Sequence, residues 1–455
     1  MRIVALTFGT EGDTRPMVAL CRGLLDAGHD VTLLAEKAGA TYAAALGVPF
    51  VALAGDMADE LRRAASRLSR SAVDARMVAR ALAGIANANA ASWMRAALDR
   101  SRDAQAIVCA GLAIYVGLSV AESLGIPAIG AGLQPLMPTR AFASPFLPPL
   151  RLPGFLNRAS HGFVLGAMWR AFRGAINDAR RDVAQQPSRQ RAWDDYRVLF
   201  DMSPTLVPPP SDWDERVAIT GYWFGPRDPR FAPDPDLVEF IDAGEAPVYV
   251  GFGSMLGFDR ERVLAAVLGA LDGRRALLHS GWSGFADTSL PASVLRIGHV
   301  PHDWLFPQTG VVVHHGGAGT THTAARAGVP SIVLPFAADQ FFWATRLEAL
   351  GVAPPMLTHA QLDATRLRER LEAARAHRMH ERAREVALEM STQTGVANAV
   401  ERIEACAQRQ VRLHVSATDR RSSEAASEKV KSDPAFPEPT FDQPSGNSCS
   451  ASRTQ

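Results

Sequence analysis

The aliphatic run Val311 to His314 leads into Gly316-Gly317-Ala318-Gly319-Thr320 and then into a helix-forming stretch ending at Gly328. Four small residues let the backbone approach a ligand, and a helix N-terminus supplies free N–H groups, so this junction suits an anion, above all a phosphate. The Thr320 hydroxyl and the His314 imidazole add side-chain donors, while His315 reads as a packed neighbour. The same glycines also suit a plain tight turn, and the lack of Gly-Lys-Ser/Thr argues against a P-loop ATPase. Beyond the next strand, Pro335-Phe-Ala-Ala-Asp-Gln340 sets Asp339 beside Gln340. A carboxylate next to a carboxamide offers sugar hydroxyls both acceptors and donors; capping the following helix is the plainer use of the pair. Near the N-terminus, Thr7-Phe-Gly-Thr-Glu-Gly-Asp-Thr-Arg-Pro16 follows the first strand. Pro16 suits the first turn of a helix, which places Asp13 on the loop before it, where an aspartate commonly serves as a cap.

These groups need rigid strand ends to hold them. Short aliphatic strands are expected at Arg2 to Leu6, Asp30 to Ala35, Val48 to Leu53, Ala106 to Ala110 and Ile126 to Ala131. A second set follows at Pro247 to Gly251, Ala276 to His279, Val294 to Ile297, Val311 to His314 and Ser331 to Leu334. Near-continuous Val, Ile and Leu with helical stretches between them predict an α/β protein of two doubly wound parallel sheets, Rossmann-like and facing across a cleft. The stretch Leu206 to Asp236 holds seven prolines in thirty-one residues and reads as a linker. The expected division is 1–205, a linker at 206–235, 236–412, and a polar, disordered tail at 413–455. A chain of 455 residues suggests about three units by length; the third dissolves into linker and tail.

Composition narrows the function. Lys and Arg number 48 against 47 Asp and Glu, so no basic excess recommends nucleic acid. Cys21, Cys109, Cys406 and Cys449 show no metal-ligand spacing and fit a reducing cytoplasm. Ile3 to Leu6 is too short for a signal-peptide core. The uncharged run Ala104 to Ala121 is broken by Gly111 and Gly117 and parses as strand plus helix, not as a membrane span. Glu36 after the second strand invites a dinucleotide reading, but no Gly-x-Gly-x-x-Gly precedes it. Asp234-Pro-Asp236 reads as a capping box, with Asp236 as cap and Glu239 three residues on, in preference to a metal-binding pair.

The run from His299 to Gln340 resembles the nucleotide-sugar signature of family 1 glycosyltransferases of GT-B fold, and His-His-Gly-Gly-Ala-Gly-Thr-Thr is most similar to the sterol glucosyltransferase and glycopeptide glycosyltransferase branches. The resemblance covers about residues 1 to 405 and implies an inverting transfer of a hexose from a UDP- or dTDP-sugar to an apolar hydroxylated acceptor, with no metal or other cofactor. It assigns His314 and Gly316 to Thr320 to the donor diphosphate, with Ser254 of Gly251-Phe-Gly-Ser-Met255 beside them, and Asp339 and Gln340 to the donor sugar. It also makes Asp13, in the Gly-Asp-x-x-Pro element, the base that takes the acceptor proton. The nucleobase is expected near Trp282, His299 and Val300, with Trp282 equally suited to core packing; His299 stands where plant members carry a stacking tryptophan. A non-catalytic GT-B homologue acting as a binding partner is the competing reading.

Two apolar features concern the acceptor. Gln134 to Arg181 carries Phe142, Phe146, Leu147, Leu150, Phe155, Leu156, Phe163, Trp169 and Phe172, either an acceptor wall or core beneath a long loop. Leu61 to Leu82 holds six arginines and one aspartate, either a solvated face or a peripheral contact with anionic lipid.

Overall fold

The computed structural model describes residues 1–66, 75–149, 152–253, 259–279 and 290–409. The first sheet contains β1 (Arg2–Leu6), β2 (Asp30–Glu36), β3 (Phe50–Leu53), β4 (Ala106–Cys109), β5 (Ala128–Gly132), β6 (Arg197–Asp201) and β7 (Val217–Gly221). All seven are parallel, in the order β3-β2-β1-β4-β5-β6-β7. The second contains β8 (Val248–Gly251), β9 (Ala276–His279), β10 (Val294–Ile297), β11 (Val311–His314) and β12 (Ser331–Val333), parallel in the order β10-β9-β8-β11-β12. The central strands are buried on both faces: Ile3, Val4, Ala5 and Leu6 of β1, and Val311, Val312 and Val313 of β11, are all at most 1% exposed. That is why they read as unbroken aliphatic runs.

Two strands escaped the sequence reading. β6 offers only Val198, Leu199 and Phe200 between charged ends. β7 lies within the proline-rich stretch expected as a linker, yet it pairs with β6 and closes the first sheet. It takes the edge position, where one side needs no ladder partner, so prolines on either side are tolerated. The range 236–412 also holds a helix over 395–409 that returns to the first sheet's core. Its Ala399, Val400, Ile403 and Ala407 pack with Met17, Leu20 and Leu24, and Asn398 Nδ2 donates to the Thr220 carbonyl at 2.9 Å.

Two helix starts differ from expectation. The helix Glu11–Asp26 begins at a capping box formed by Thr10 and Asp13, so Pro16 lies in its second turn and Asp13 in its first. At Pro235–Asp242 the cap is Asp234, not Asp236: its carboxylate accepts the Asp236 N–H at 3.0 Å, and Pro235 occupies the first helical position. Among the described residues no helix is long and apolar enough to cross a membrane. The stretch 104–121 forms β4 and most of the helix Ile114–Leu124.

Candidate functional site

The loop after β11 is built around two requirements for glycine. Gly316 has φ +88°, and a β-carbon there would lie 2.9 Å from the Gln340 carbonyl oxygen and 2.8 Å from Val333 Cγ1. The loop therefore lies directly against the turn that carries Asp339 and Gln340. Gly317 caps the helix Ala318–Arg326 without a side-chain hydrogen bond, and the first helical bond is made by the Thr321 N–H to the Gly317 carbonyl at 3.0 Å. The N–H groups of Ala318, Gly319 and Thr320 precede that bond, leaving the end of the helix with the partial positive charge of unpaired donors.

His314 adds a fourth donor. It is 0% exposed, and its Nδ1 accepts the Gly316 N–H at 3.1 Å, which puts the ring proton on Nε2. That Nε2 is buried and has no hydrogen-bond partner among the described residues. Burial, reinforced by His315 and His302, holds the imidazole well below its usual range, so His314 donates as a neutral ring and carries no charge. This is the side-chain donor that the sequence suggested, without a charge. His315 packs between Gly253 and Gly317, and burial pulls it down to about 4.

In the turn before Gln340, part of the expected sugar pair is already engaged within the protein. Gln340 is buried, and its Oε1 accepts the N–H groups of Phe336 (2.7 Å) and Ala337 (3.1 Å), so this oxygen shapes its own loop. Asp339 Oδ2 accepts the Trp343 indole N–H at 2.9 Å. Burial, with Asp13 adding repulsion, pushes the Asp339 carboxyl up to about 6 despite that hydrogen bond. Ala338 just before it sits at φ 54°, a strained conformation held by the surrounding turn.

Asp13 and Asp339 come from opposite domains and feel each other electrostatically. One carboxylate oxygen of Asp13, Oδ2, accepts the Thr10 N–H at 2.8 Å and the Thr10 hydroxyl at 3.1 Å. Its Oδ1 faces Gly111, where a β-carbon would lie 3.6 Å away. Burial raises the Asp13 carboxyl to about 6 against both Thr10 hydrogen bonds. Asp13 is thus a cap through one oxygen and available through the other. Glu36 is buried at the end of β2, where its carboxylate accepts the Met57 N–H at 2.6 Å, and burial together with Asp56 and Asp13 raises it.

Of the expected nucleobase group, His299 is exposed and its Nε2 lies 2.7 Å from a guanidinium nitrogen of Arg15, while Val300 packs at the edge of the second core. Ser254 and Trp282 lie outside the described residues.

The comparisons with known proteins agree on one class. Residues 3–143 match the model of the glycosyltransferase family 28 N-terminal domain, and residues 262–406 that of the erythromycin biosynthesis protein CIII-like C-terminal domain. The chain is 32% identical over 425 residues to a sterol 3-beta-glucosyltransferase of Debaryomyces hansenii, covering 88% of this chain and 26% of that protein. It is 32% identical over 438 residues to the Candida albicans protein of the same name, covering 88% and 27%. It therefore spans about a quarter of the length of these curated relatives. Among solved structures, the kitacinnamycin glycosyltransferase matches with a TM-score of 0.67 at 22% identity, covering 89% of this chain and 98% of that one. Glycosyltransferase VinC in complex with dTDP gives 0.62 at 18% identity, covering 90% and 100%. These matches support a family 1 glycosyltransferase.

Around this site the structure adds residues that motif reading missed. Arg15 bridges the domains: it pairs with Glu11 at 3.0 Å, lies 4.8 Å over the Tyr42 ring and contacts His299. His322 joins three elements from inside the glycine-loop helix. Its Nδ1–H donates to the Ala318 carbonyl at 2.7 Å, and its Nε2 accepts the Ser203 N–H from the first domain at 3.1 Å. Its ring stacks on Tyr222 at 4.3 Å and meets the edge of Trp343 at 5.0 Å. Trp343 in turn holds Asp339, so one buried imidazole supports both halves of the donor-side geometry. The only sequence signal was a histidine on the inward face of the glycine-loop helix.

The aromatic segment is partly core and partly exposed. Trp169 and Phe172 are core, and Phe142 packs on Phe342 of the second domain at 5.1 Å. His161 fixes the preceding loop through the carbonyls of Leu136 (3.0 Å) and Phe142 (3.1 Å). Phe155, Leu156 and Phe163 face outward.

Proposed function

We propose that the chain transfers a hexose, with inversion, from a nucleoside-diphosphate sugar to a hydroxyl of an apolar acceptor of sterol-like, polyketide or hydroxy-fatty-acid type. The observation that carries this is a buried His314 Nε2–H with no partner among the described residues, at the strand end that leads into the N-terminus of the helix Ala318–Arg326, in a loop pressed against the turn of Asp339 and Gln340. As the sugar–phosphate bond breaks, negative charge collects on the leaving diphosphate. Preorganised donors in a buried setting stabilise that charge more than they stabilise the ground state. The Asp339 carboxylate, held at one oxygen by Trp343, would accept from a donor-sugar hydroxyl. The free Oδ1 of Asp13 takes the acceptor proton as the new bond forms, when the attacking oxygen has become acidic.

The sterol 3-beta-glucosyltransferase relatives support an apolar acceptor, and the dTDP complex of VinC supports a nucleoside-diphosphate donor, either UDP- or dTDP-linked. In this reading charge on the leaving group is met by protein donors, with no metal or further cofactor, and the reaction is cytoplasmic. The test is turnover of UDP- and dTDP-sugars over an acceptor panel by wild type and His314→Ala. Loss of turnover with a raised donor Kd is expected. Undiminished turnover in the variant overturns the site, and donor binding without turnover on any acceptor returns the protein to the class of non-catalytic homologues.

A further inference from the structure

The large exposed apolar side chains among the described residues are Phe155 (68% exposed), Leu156 (40%), Phe163 (66%) and Leu388, and the first three share the opening turns of the helix Gly154–Asp182. Phe155, Ala159 and Phe163 follow one another at four-residue spacing, so they form one stripe. The opposite face is spent on the protein: Asn157, Ser160 and His161 are buried and hold the loop before the helix. The outward stripe is open at its middle, where a β-carbon added at Gly162 would meet nothing within 4 Å.

The charge around this stripe is one-sided. Between Glu122 and Asp178 the sequence holds no acid and five arginines, Arg140, Arg151, Arg158, Arg170 and Arg173. With 47 acids in 455 residues, an average stretch of that length would contain about five or six. Arg158, Arg170 and Arg173 are exposed on the same helix. Arg158 makes a long contact of 3.5 Å to Asp212, and among the described residues Arg170 and Arg173 make no ion pair.

The fold fixes where the stripe sits. The helices Ala75–Ser101 and Gly154–Asp182 lead into β4 and β6, which are parallel, so both descend from the carboxyl edge of the first sheet and run side by side. Asn87 Nδ2 donates to the Ala171 carbonyl at 2.9 Å, which sets their register and brings exposed Arg80, seven residues earlier, level with Val164. Phe155 and Phe163 therefore lie at the carboxyl-edge end of the sheet, the end where ligands of such folds bind.

We infer that this end of the helix docks on an anionic lipid bilayer, with Phe155, Leu156 and Phe163 entering the headgroup–acyl boundary and Arg80, Arg158, Arg170 and Arg173 meeting lipid phosphates. Apolar side chains flanked by exposed arginines match that surface in both polarity and charge, whereas a protein partner would have to supply both an apolar pocket and a ring of acids. The inference deepens the proposed function, since an apolar acceptor is drawn from such a bilayer, but docking itself needs neither donor nor acceptor.

The full chain is sedimented with vesicles of phosphatidylcholine alone and of equal phosphatidylcholine and phosphatidylglycerol in 0.1 M salt. Binding to the anionic vesicles at least tenfold above the neutral ones is expected, falling about tenfold or more in Arg170→Glu/Arg173→Glu. A similar fall is expected in Phe155→Ser/Phe163→Ser, with circular dichroism melts confirming that both variants fold. Absence of binding to anionic vesicles, or binding unchanged in both variants, overturns the inference. So does a dimeric mass in solution that Phe155→Ser/Phe163→Ser makes monomeric, because a second copy would then cover the face. None of these results touches the glycosyl-transfer reading, which stands or falls on donor turnover in His314→Ala.

Discussion

His322 is the point at which a single substitution reports on the interdomain arrangement, and His322→Gln is the informative change. The glutamine carbonyl can still accept the Ser203 N–H, which in the wild type reaches Nε2 at 3.1 Å. What disappears is the ring, stacked on Tyr222 and edge-on to Trp343, for a loss of about 2 kcal/mol in stability at pH 7.5. What also disappears is a proton-binding mismatch. Burial holds His322 down at about 4 in the folded protein, against 6.5 for the free side chain, in spite of the opposing hydrogen bond to Ala318. The unfolded chain therefore binds a proton first. The contribution of His322 to stability is fully present above pH 6.5 and is withdrawn as pH falls toward 4. At pH 5 the wild type has lost about 2 kcal/mol through this one group, and glutamine loses none. The deficit of His322→Gln in guanidinium unfolding should thus shrink from about 2 kcal/mol at pH 7.5 to near zero at pH 5. A deficit that stays constant across this range would show that His322 is not a buried neutral acceptor, and the tie between the glycine-loop helix and Ser203 would have to be abandoned.

Three further outcomes follow from the site. Asp13→Asn should lower turnover by about 10²- to 10⁴-fold with donor Kd within about twofold, and wild-type kcat/KM should rise through pH 6 as the carboxyl, held up at about 6, releases its proton; a flat profile from pH 5 to 8 would count against Asp13 as base. Gly316→Ala must adopt φ +88° with its β-carbon 2.9 Å from the Gln340 carbonyl oxygen, so a loss of about 2 to 4 kcal/mol in thermal or chemical unfolding is expected together with loss of donor binding; unchanged stability would mean the loop is not pressed against that turn. Trp343→Phe keeps the ring beside His322 and removes the N–H to Asp339 Oδ2, which should raise donor KM by about tenfold with a smaller change in kcat, and an unmoved KM would separate Asp339 from the donor.

The strands were legible where both faces are buried. β1, β9 and β11 coincide with their aliphatic runs because a strand covered on both sides leaves little place for polar residues. β7 was hidden by its surroundings, since an edge strand among prolines has a composition close to that of a linker. The start of the first helix was misplaced because Pro16 is a stronger local signal than a Thr10–Asp13 capping box, which becomes visible only when both side chains are seen engaged. Similarly, Gln340 reads as a free carboxamide in sequence and is found shaping its own turn.

The sequence by itself determined the two parallel-sheet domains and the glycine loop as an anion-ready helix end. Those properties are local: they follow from runs of buried aliphatics and from the backbone freedom of adjacent glycines. Only the tertiary structure decided that His314 is a neutral donor, that Asp13 and Asp339 confront one another from different domains, and that His322 ties the glycine-loop helix to Ser203. Ionisation and hydrogen-bond choice depend on desolvation and on partners hundreds of positions away in the chain, and neither is written in the spacing of residues along it.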